Sequence, residues 1–217
     1  MTILCIETST SVCSAAVCKD GTPLKQCICR EGSNHARLLP RYIEELLAFS
    51  RAEKLEIEAV ALSEGPGSYT GLRIGTSTAK GLCYGLDVPL IPVPTLQVLC
   101  EAAKERGAKD VLVPLIDARR MEVYTTDAHE KARAVVVENE ASLYEGKEEV
   151  YYFGDGAAKC QSILTKPNWH YLPDVVPEAA YLGKIAENMP KETNIAYYEP
   201  YYLKEFIAAQ SHVKGLK

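Results

Sequence analysis

Ser63-Glu64-Gly65-Pro66-Gly67-Ser68-Tyr69-Thr70-Gly71-Leu72-Arg73 lies between a short apolar run, residues 59–62, and a segment rich in small residues, 70–86. The run reads as a strand and the segment as a helix. Gly65 and Gly67 permit backbone angles closed to other residues, and Pro66 fixes its own φ. Ser68 or Thr70 can cap the helix that follows. A strand, a glycine turn and a helix N-terminus can direct free N–H groups at an anion. The same elements also make a tight turn that only packs strand on helix, and the local pattern leaves both readings open.

The helix carries more information than the turn. One row of its surface reads Gly71, Gly75, Thr78, Leu82, Gly85, and the next reads Leu72, Thr76, Ala79, Cys83, Leu86. Arg73, Ser77, Lys80 and Tyr84 form the only polar row. This small and apolar arc is wider than a helix resting on one sheet requires. Glycine costs a helix interior roughly 1 kcal/mol against alanine, so Gly71, Gly75, Gly81 and Gly85 call for an offset. A closely packed helix of another subunit supplies one; close packing against this chain's own sheet supplies another.

Upstream, residues 2–6, 12–19 and 24–30 read as strands, with Lys19-Asp20-Gly21-Thr22 as a hairpin turn. Glu7-Thr8-Ser9-Thr10-Ser11 is a hydroxyl-rich turn that can hold phosphate oxygens or serve as an ordinary turn. A first helix spans 34–49, with Asn34 as N-cap and apolar residues recurring at three and four. Pro40 falls inside it and moves the expected regular start toward Leu39. Downstream come a strand at 90–93, a helix from Thr95 to Arg106 ended by Gly107, and a strand at 111–117. The turn Ala118-Arg119-Arg120, strands at 121–126, 132–138 and 151–153, helices at 157–164 and 177–189, and a proline-rich link between those helices complete the reading. The opening pattern thus recurs in outline. The expected division is an N-terminal lobe, 1–105, and a C-terminal lobe, 106–217.

Across 217 residues the net charge is −5, with 47% hydrophobic and 24% charged residues. That balance is ordinary for a globular protein and lacks the basic surplus of a stand-alone nucleic-acid binder. No apolar run is long enough to span a membrane and no secretory leader is evident, so a cytoplasmic protein is expected. The eight cysteines contain no Cys-x-x-Cys and read as reduced, mostly buried thiols. The histidines, His35, His129, His170 and His212, are nowhere four apart, so no metal site is expected.

Several stretches, in order, resemble the bacterial TsaB (YeaZ) family. They are Ile6-Glu7-Thr8-Ser9, His35-Ala36-Arg37-Leu38-Leu39-Pro40, the glycine stretch to Arg73, Ala79-Lys80-Gly81-Leu82, Asp117-Ala118-Arg119-Arg120-Met121-Glu122-Val123-Tyr124, Gly154-Asp155-Gly156-Ala157 and Pro200-Tyr201-Tyr202-Leu203. Met121 stands where the family often has glycine, and the match is weaker after Ala132. The resemblance implies an α/β, two-lobed actin-like, sugar-kinase-like (ribonuclease H-like) fold with mixed sheets and flanking helices. It implies a part in making threonylcarbamoyladenosine beside the tRNA anticodon, as a partner without catalytic residues. The catalytic subunit is then a TsaD-like protein, a TsaE-like ATPase joins, tRNA is met only in the complex, and the chain alone forms a homodimer.

The partner surface implied comprises His35, Leu38, Leu39, Tyr42, Gly71, Arg73, Ile74, Gly75, Thr78, Lys80 and Leu82. The fold also places Glu7, Thr8, Ser9 and Thr10, and Gly154, Asp155 and Gly156, where kinases of the superfamily hold a nucleotide. ATP or ADP with magnesium at a complex interface is the corresponding cofactor expectation. The alternative is a small ATP-dependent kinase or hydrolase working in the interlobe cleft. No Gly-x-Ser-x-Gly elbow supports a serine hydrolase.

Overall fold

The computed structural model describes residues 1–32, 34–126 and 131–204. Strands β1 (Thr2–Glu7), β2 (Cys13–Lys19) and β3 (Thr22–Cys29) form an antiparallel meander. After helix α1 (His35–Ala52), β4 (Ala59–Gly65) returns parallel to β1. After helix α2 (Tyr69–Leu86), β5 (Leu90–Pro94) lies parallel to β4, so the sheet order is β3-β2-β1-β4-β5. The hairpin at Asp20 and Gly21 has φ of 50° and 74°, the paired left-handed angles that suit the twist of a two-residue hairpin.

Side chains of β1 alternate between two covered faces. Leu4 and Ile6 pack with Leu39, Ile43 and Leu46 of α1 and Ala79 and Cys83 of α2. Ile3 and Cys5 pack on the opposite face with Ala179, Leu182 and Ala186 of helix α4 (Ala179–Ala186). Burial on both faces accounts for the unbroken apolar run at the start of the chain.

The second half repeats this plan. Strands β6 (Val111–Pro114) and β7 (Ile116–Asp117) follow one another along one stretch of chain. The stretch is expected as one strand, but it divides at Leu115, whose N–H donates to Phe153 and whose carbonyl accepts from Gly156. β7 pairs antiparallel with β8 (Glu122–Thr125), and β8 with β9 (Arg133–Val136). β6 pairs parallel with β10 (Val150–Phe153), and β10 with β11 (Trp169–Leu172). Taken through the shared stretch, the order is β9-β8-β7/β6-β10-β11, with the same strand senses as the first sheet.

The helices do not repeat with the strands. Single turns of 3-10 helix, Glu140–Ser142 and Ala158–Cys160, stand where α1 and α2 stand in the first half, and the helix expected at 157–164 reduces to the second of these. Strand β11 occupies the expected proline-rich link.

Helix α3 (Thr95–Glu105) lies across the join, its Val98 in the first-lobe core, and α4 crosses to the first lobe. Leu96, Leu99, Ala102 and Ala103 of α3 pack with Leu112, Ile116 and Phe153 of the second lobe, while α4 covers the first sheet. The expected boundary at 105/106 therefore follows chain order but not packing after about Glu178. Lys184 of α4 bonds Glu101 of α3 across the join. Helix α1 also differs from expectation. It starts at His35 rather than near Leu39 and runs through Pro40, whose ring is exposed; Asn34 holds the cap position without a side-chain bond.

Candidate functional site

Two turns and one helix face carry the sequence-derived candidates. The first turn, after β1, is folded into its own chain. Glu7, Thr8 and Ser9 are wholly buried. Oε1 of Glu7 accepts from the Ser9 N–H at 2.6 Å and the Ser9 hydroxyl at 2.5 Å, while Oε2 has no partner among the described residues. The Thr8 hydroxyl donates to the Gly71 carbonyl at 2.9 Å, and the Ser9 carbonyl accepts from Ser68 N–H at 2.6 Å. His35, itself buried, places Nε2 2.9 Å from the Thr10 carbonyl.

The glycine loop and the start of α2 therefore lie directly on this turn. Ser68 caps α2, accepting from Gly71 N–H at 3.4 Å. Beneath it, a Cβ at Gly71 would lie 2.0 Å from the Thr8 carbonyl oxygen, and one at Gly75 would lie 2.3 Å from Thr8 Oγ1. These two glycines serve close packing within the chain, which corrects their assignment to a partner helix. The neighbouring assignments of His35 and Leu39 are corrected for the same reason, since both are buried.

The second turn is equally closed. Gly156 N–H donates to the Leu115 carbonyl, and Asp155 Oδ1 accepts from Asp117 N–H at 2.9 Å. A Cβ at Gly154 would lie 2.4 Å from the Leu115 oxygen. Gly154–Gly156 is thereby fastened to the β6–β7 bend, while Glu7–Thr10 is fastened to α2. The Thr8 and Ser9 hydroxyls and the Ser9 and Gly156 N–H groups are thus engaged inside the chain.

Burial lifts the Glu7 carboxyl above its ordinary 4.5, outweighing the Ser9 bonds that lower it. A raised value means the fold favours the neutral acid. That contribution is complete below the ordinary value and is lost as pH climbs through the folded one. Glu7→Gln should remove the dependence: melting temperatures of variant and parent should agree near pH 4.5 and diverge in the variant's favour by pH 8. Parallel curves would mean that Glu7 carries its charge comfortably in the fold.

The helix face is the open feature. Ile74, Thr78 and Leu82 of α2, with Leu38 and Tyr42 of α1, are half-buried at the edge of the first core. Gly81 and Gly85 continue the α2 stripe, and a Cβ at either would meet none of the described residues within 4 Å. Tyr84 is 91% exposed. A hollow of about 400 Å³ on α1 is lined by Leu38, Arg41, Tyr42, Glu44, Glu45 and Ala48.

Arg73 and Lys80 turn the other way. Lys80 Nζ donates to the carbonyls of Ala196 and Tyr198 at 2.8 and 3.1 Å, and Arg73 Nε donates to the Tyr202 hydroxyl at 3.3 Å. They fasten the chain's own 196–202 segment along α2. The sequence singled out Pro200–Leu203 only through the family resemblance and gave no sign of its seat on α2; Tyr197, Tyr198, Tyr201 and Tyr202 were the available signal. Among the described residues, no group of three or more His, Cys, Asp or Glu side chains is placed to hold a metal ion. His129 and His212 lie outside the described residues. Among those residues, no helix is long and apolar enough to cross a membrane.

A protein named tRNA threonylcarbamoyladenosine biosynthesis protein TsaB from Haemophilus influenzae is 31% identical, over 94% of this chain and 94% of its own. The chain belongs to the TsaB family. The protein of the same name from Escherichia coli is 29% identical over 96% of both chains. A family model for TsaD, tRNA N6-adenosine threonylcarbamoyltransferase, matches residues 31–144. The solved structure of YeaZ from Pseudomonas aeruginosa superposes with a TM-score of 0.75 at 25% identity, covering 93% of this chain and 99% of that one. The duplicated 3-2-1-4-5 strand order of this TsaB-family chain accordingly belongs to an actin-like fold.

Proposed function

We propose that this chain acts in threonylcarbamoyladenosine formation on tRNA as the non-catalytic partner of a TsaD-like subunit, and that the α1–α2 face is where they meet. Family membership supports the pathway. The observation that carries the docking assignment is the stripe Ile74, Thr78, Gly81, Leu82, Gly85. It is small or apolar and partly exposed, and beside Gly81 and Gly85 there is open space. Glycines at 81, in the helix interior, and 85, in its last turn, that meet no described residue of their own chain weaken the helix without return unless another backbone comes close. The same face, left alone, meets its own copy and gives a twofold homodimer. Catalysis then belongs to the TsaD-like subunit and ATP turnover to a TsaE-like ATPase.

The test is to mix the chain with its organism's TsaD-like protein and to measure mass by light scattering and modified adenosine by nucleoside chromatography. A heterodimer, with modification that requires this chain, is expected. Free subunits and undiminished modification without the chain would refute the reading. ATP hydrolysis by the purified chain alone, abolished by Glu7→Gln, would instead establish the kinase or hydrolase alternative.

A further inference from the structure

We propose that the β7–β8 turn, together with the C-terminal segment docked beside it, is the surface by which this chain contacts single-stranded RNA of the tRNA. The inference deepens the function proposed above and rests on it.

The turn holds two consecutive residues in the left-handed region, Arg119 at φ 73° and Arg120 at φ 51°. Neither is glycine, and such angles persist in bulky residues only where surrounding bonds enforce them. Here Asp117 Oδ1 accepts from Arg119 N–H at 2.9 Å, the Arg119 carbonyl accepts from Glu122 N–H at 3.1 Å, and the Glu122 carbonyl accepts from Ala118 N–H at 3.1 Å. Lys159 ties the two sides together through Asp117 and, at 2.7 Å, the Glu122 carbonyl. The effect is to display both arginines outward, and both are exposed.

The nearby acids do not neutralise them. Asp117 is paired with Lys159, and Glu122 with Lys204. Among the described residues, neither guanidinium has an ion-pair partner.

Rings lie between the cations. Lys204 Nζ sits 5.9 Å from the centre of the Tyr124 ring. Two residues earlier, Tyr202 packs on Tyr69 at 5.0 Å, and Arg73 lies 4.3 Å from the Tyr69 ring while donating to the Tyr202 hydroxyl. The segment is seated by Tyr201 N–H donating to the Glu64 carbonyl at 2.8 Å. From Arg119 and Arg120 through Tyr124 and Lys204 to Tyr202, Tyr69 and Arg73, cations are interspersed with half-exposed rings. Phosphates pair with the first and unstacked bases lie on the second, which is how single-stranded RNA is held. With a net charge of −5 on the whole chain, so small a patch adds affinity only inside an assembly whose other members also bind RNA.

The test uses the assembled pair of this chain and its TsaD-like subunit, titrated with end-labelled total tRNA at two salt concentrations. Arg119→Gln/Arg120→Gln keeps the side-chain stems and the backbone demands of the turn. Its dissociation constant should rise about tenfold, and the slope of log affinity against log salt should become shallower by about 1.4, the value for two lost single-strand phosphate contacts. Lys204→Gln, which removes a cation already paired with Glu122, should move both quantities by less than the loss of either arginine. The mass of the assembly should not change. Unchanged affinity and slope with an intact assembly would overturn this surface and leave the proposed function standing. Loss of the assembly in the double variant would make the turn a protein contact and also overturn it. Failure of the parent chain to pair at all would overturn both readings.

Discussion

Gly71→Ala is expected to lower the stability of the chain by roughly 3 kcal/mol, while Gly81→Ala on the same helix is expected to raise it by about 0.5–1 kcal/mol. The substitution is chemically identical, and the propensity gained in the first turn at Gly71 is at most that gained in the interior at Gly81. What differs is the space. At Gly71 the new methyl would lie 2.0 Å from the carbonyl oxygen of Thr8, which is buried backbone, so the helix N-terminus must lift from the β1 turn. Lifting it strains the Ser68 N–H bond to the Ser9 carbonyl and the Thr8 hydroxyl bond to Gly71. At Gly81 the methyl meets none of the described residues within 4 Å. Urea unfolding of both variants against the parent gives the two differences directly. Equal shifts of either sign would show that α2 is not seated on the turn as described. A loss near 3 kcal/mol is a large share of the 5–15 kcal/mol typical of a folded domain, so Gly71→Ala should also express poorly.

The contrast between these glycines marks how far the sequence can be read. Its pattern yields the first sheet and its two helices because those signals are local: alternation or apolar runs in the strands, three-and-four spacing in α1, and a serine cap before α2. The four glycines of α2 look alike in sequence. They separate only when β1 is brought beneath the helix, a contact between residues 63 positions apart in the Thr8–Gly71 bond. The same limit explains the second half. Strand β11 consists of Trp169–Leu172 between prolines and pairs with β10 through register alone. Helix α4 shows its apolar positions plainly, yet nothing local says that it crosses to the first sheet. Leu115 splits one apolar run into two strands because it bonds Phe153 and Gly156, which lie far along the chain. Of the proposed site, the small-residue stripe was legible. The engagement of Glu7–Thr10 by α2, and of Arg73 and Lys80 by the C-terminal segment, was not.

That separation dictates which substitution tests the docking face. A bulky residue at Gly75 would confound association with folding, because its Cβ would already crowd Thr8 Oγ1 at 2.3 Å and Leu62 at 3.1 Å. Gly81→Arg avoids the difficulty. The position is exposed, and arginine is among the better helix formers, so the variant should fold at least as stably as the parent. Against an approaching helix the outcome reverses. Close-packed helix axes lie about 8–10 Å apart, a gap that small residues allow and a long charged side chain at the seam does not. Forcing it there would displace the partner or bury an unpaired guanidinium. The affinity for the TsaD-like subunit is therefore expected to fall by at least about a hundredfold, near 3 kcal/mol. Formation of modified adenosine should fall with it, and the homodimer of the isolated chain should dissociate too if both associations use one surface. Light scattering gives the masses and urea unfolding confirms the fold. A well-folded Gly81→Arg chain that pairs with its partner as tightly as the parent would remove α2 from the interface. Gly81→Ala, which adds one methyl, separates steric blocking from loss of glycine itself: it should retain most of the pairing, because a methyl fits a seam that an arginine does not.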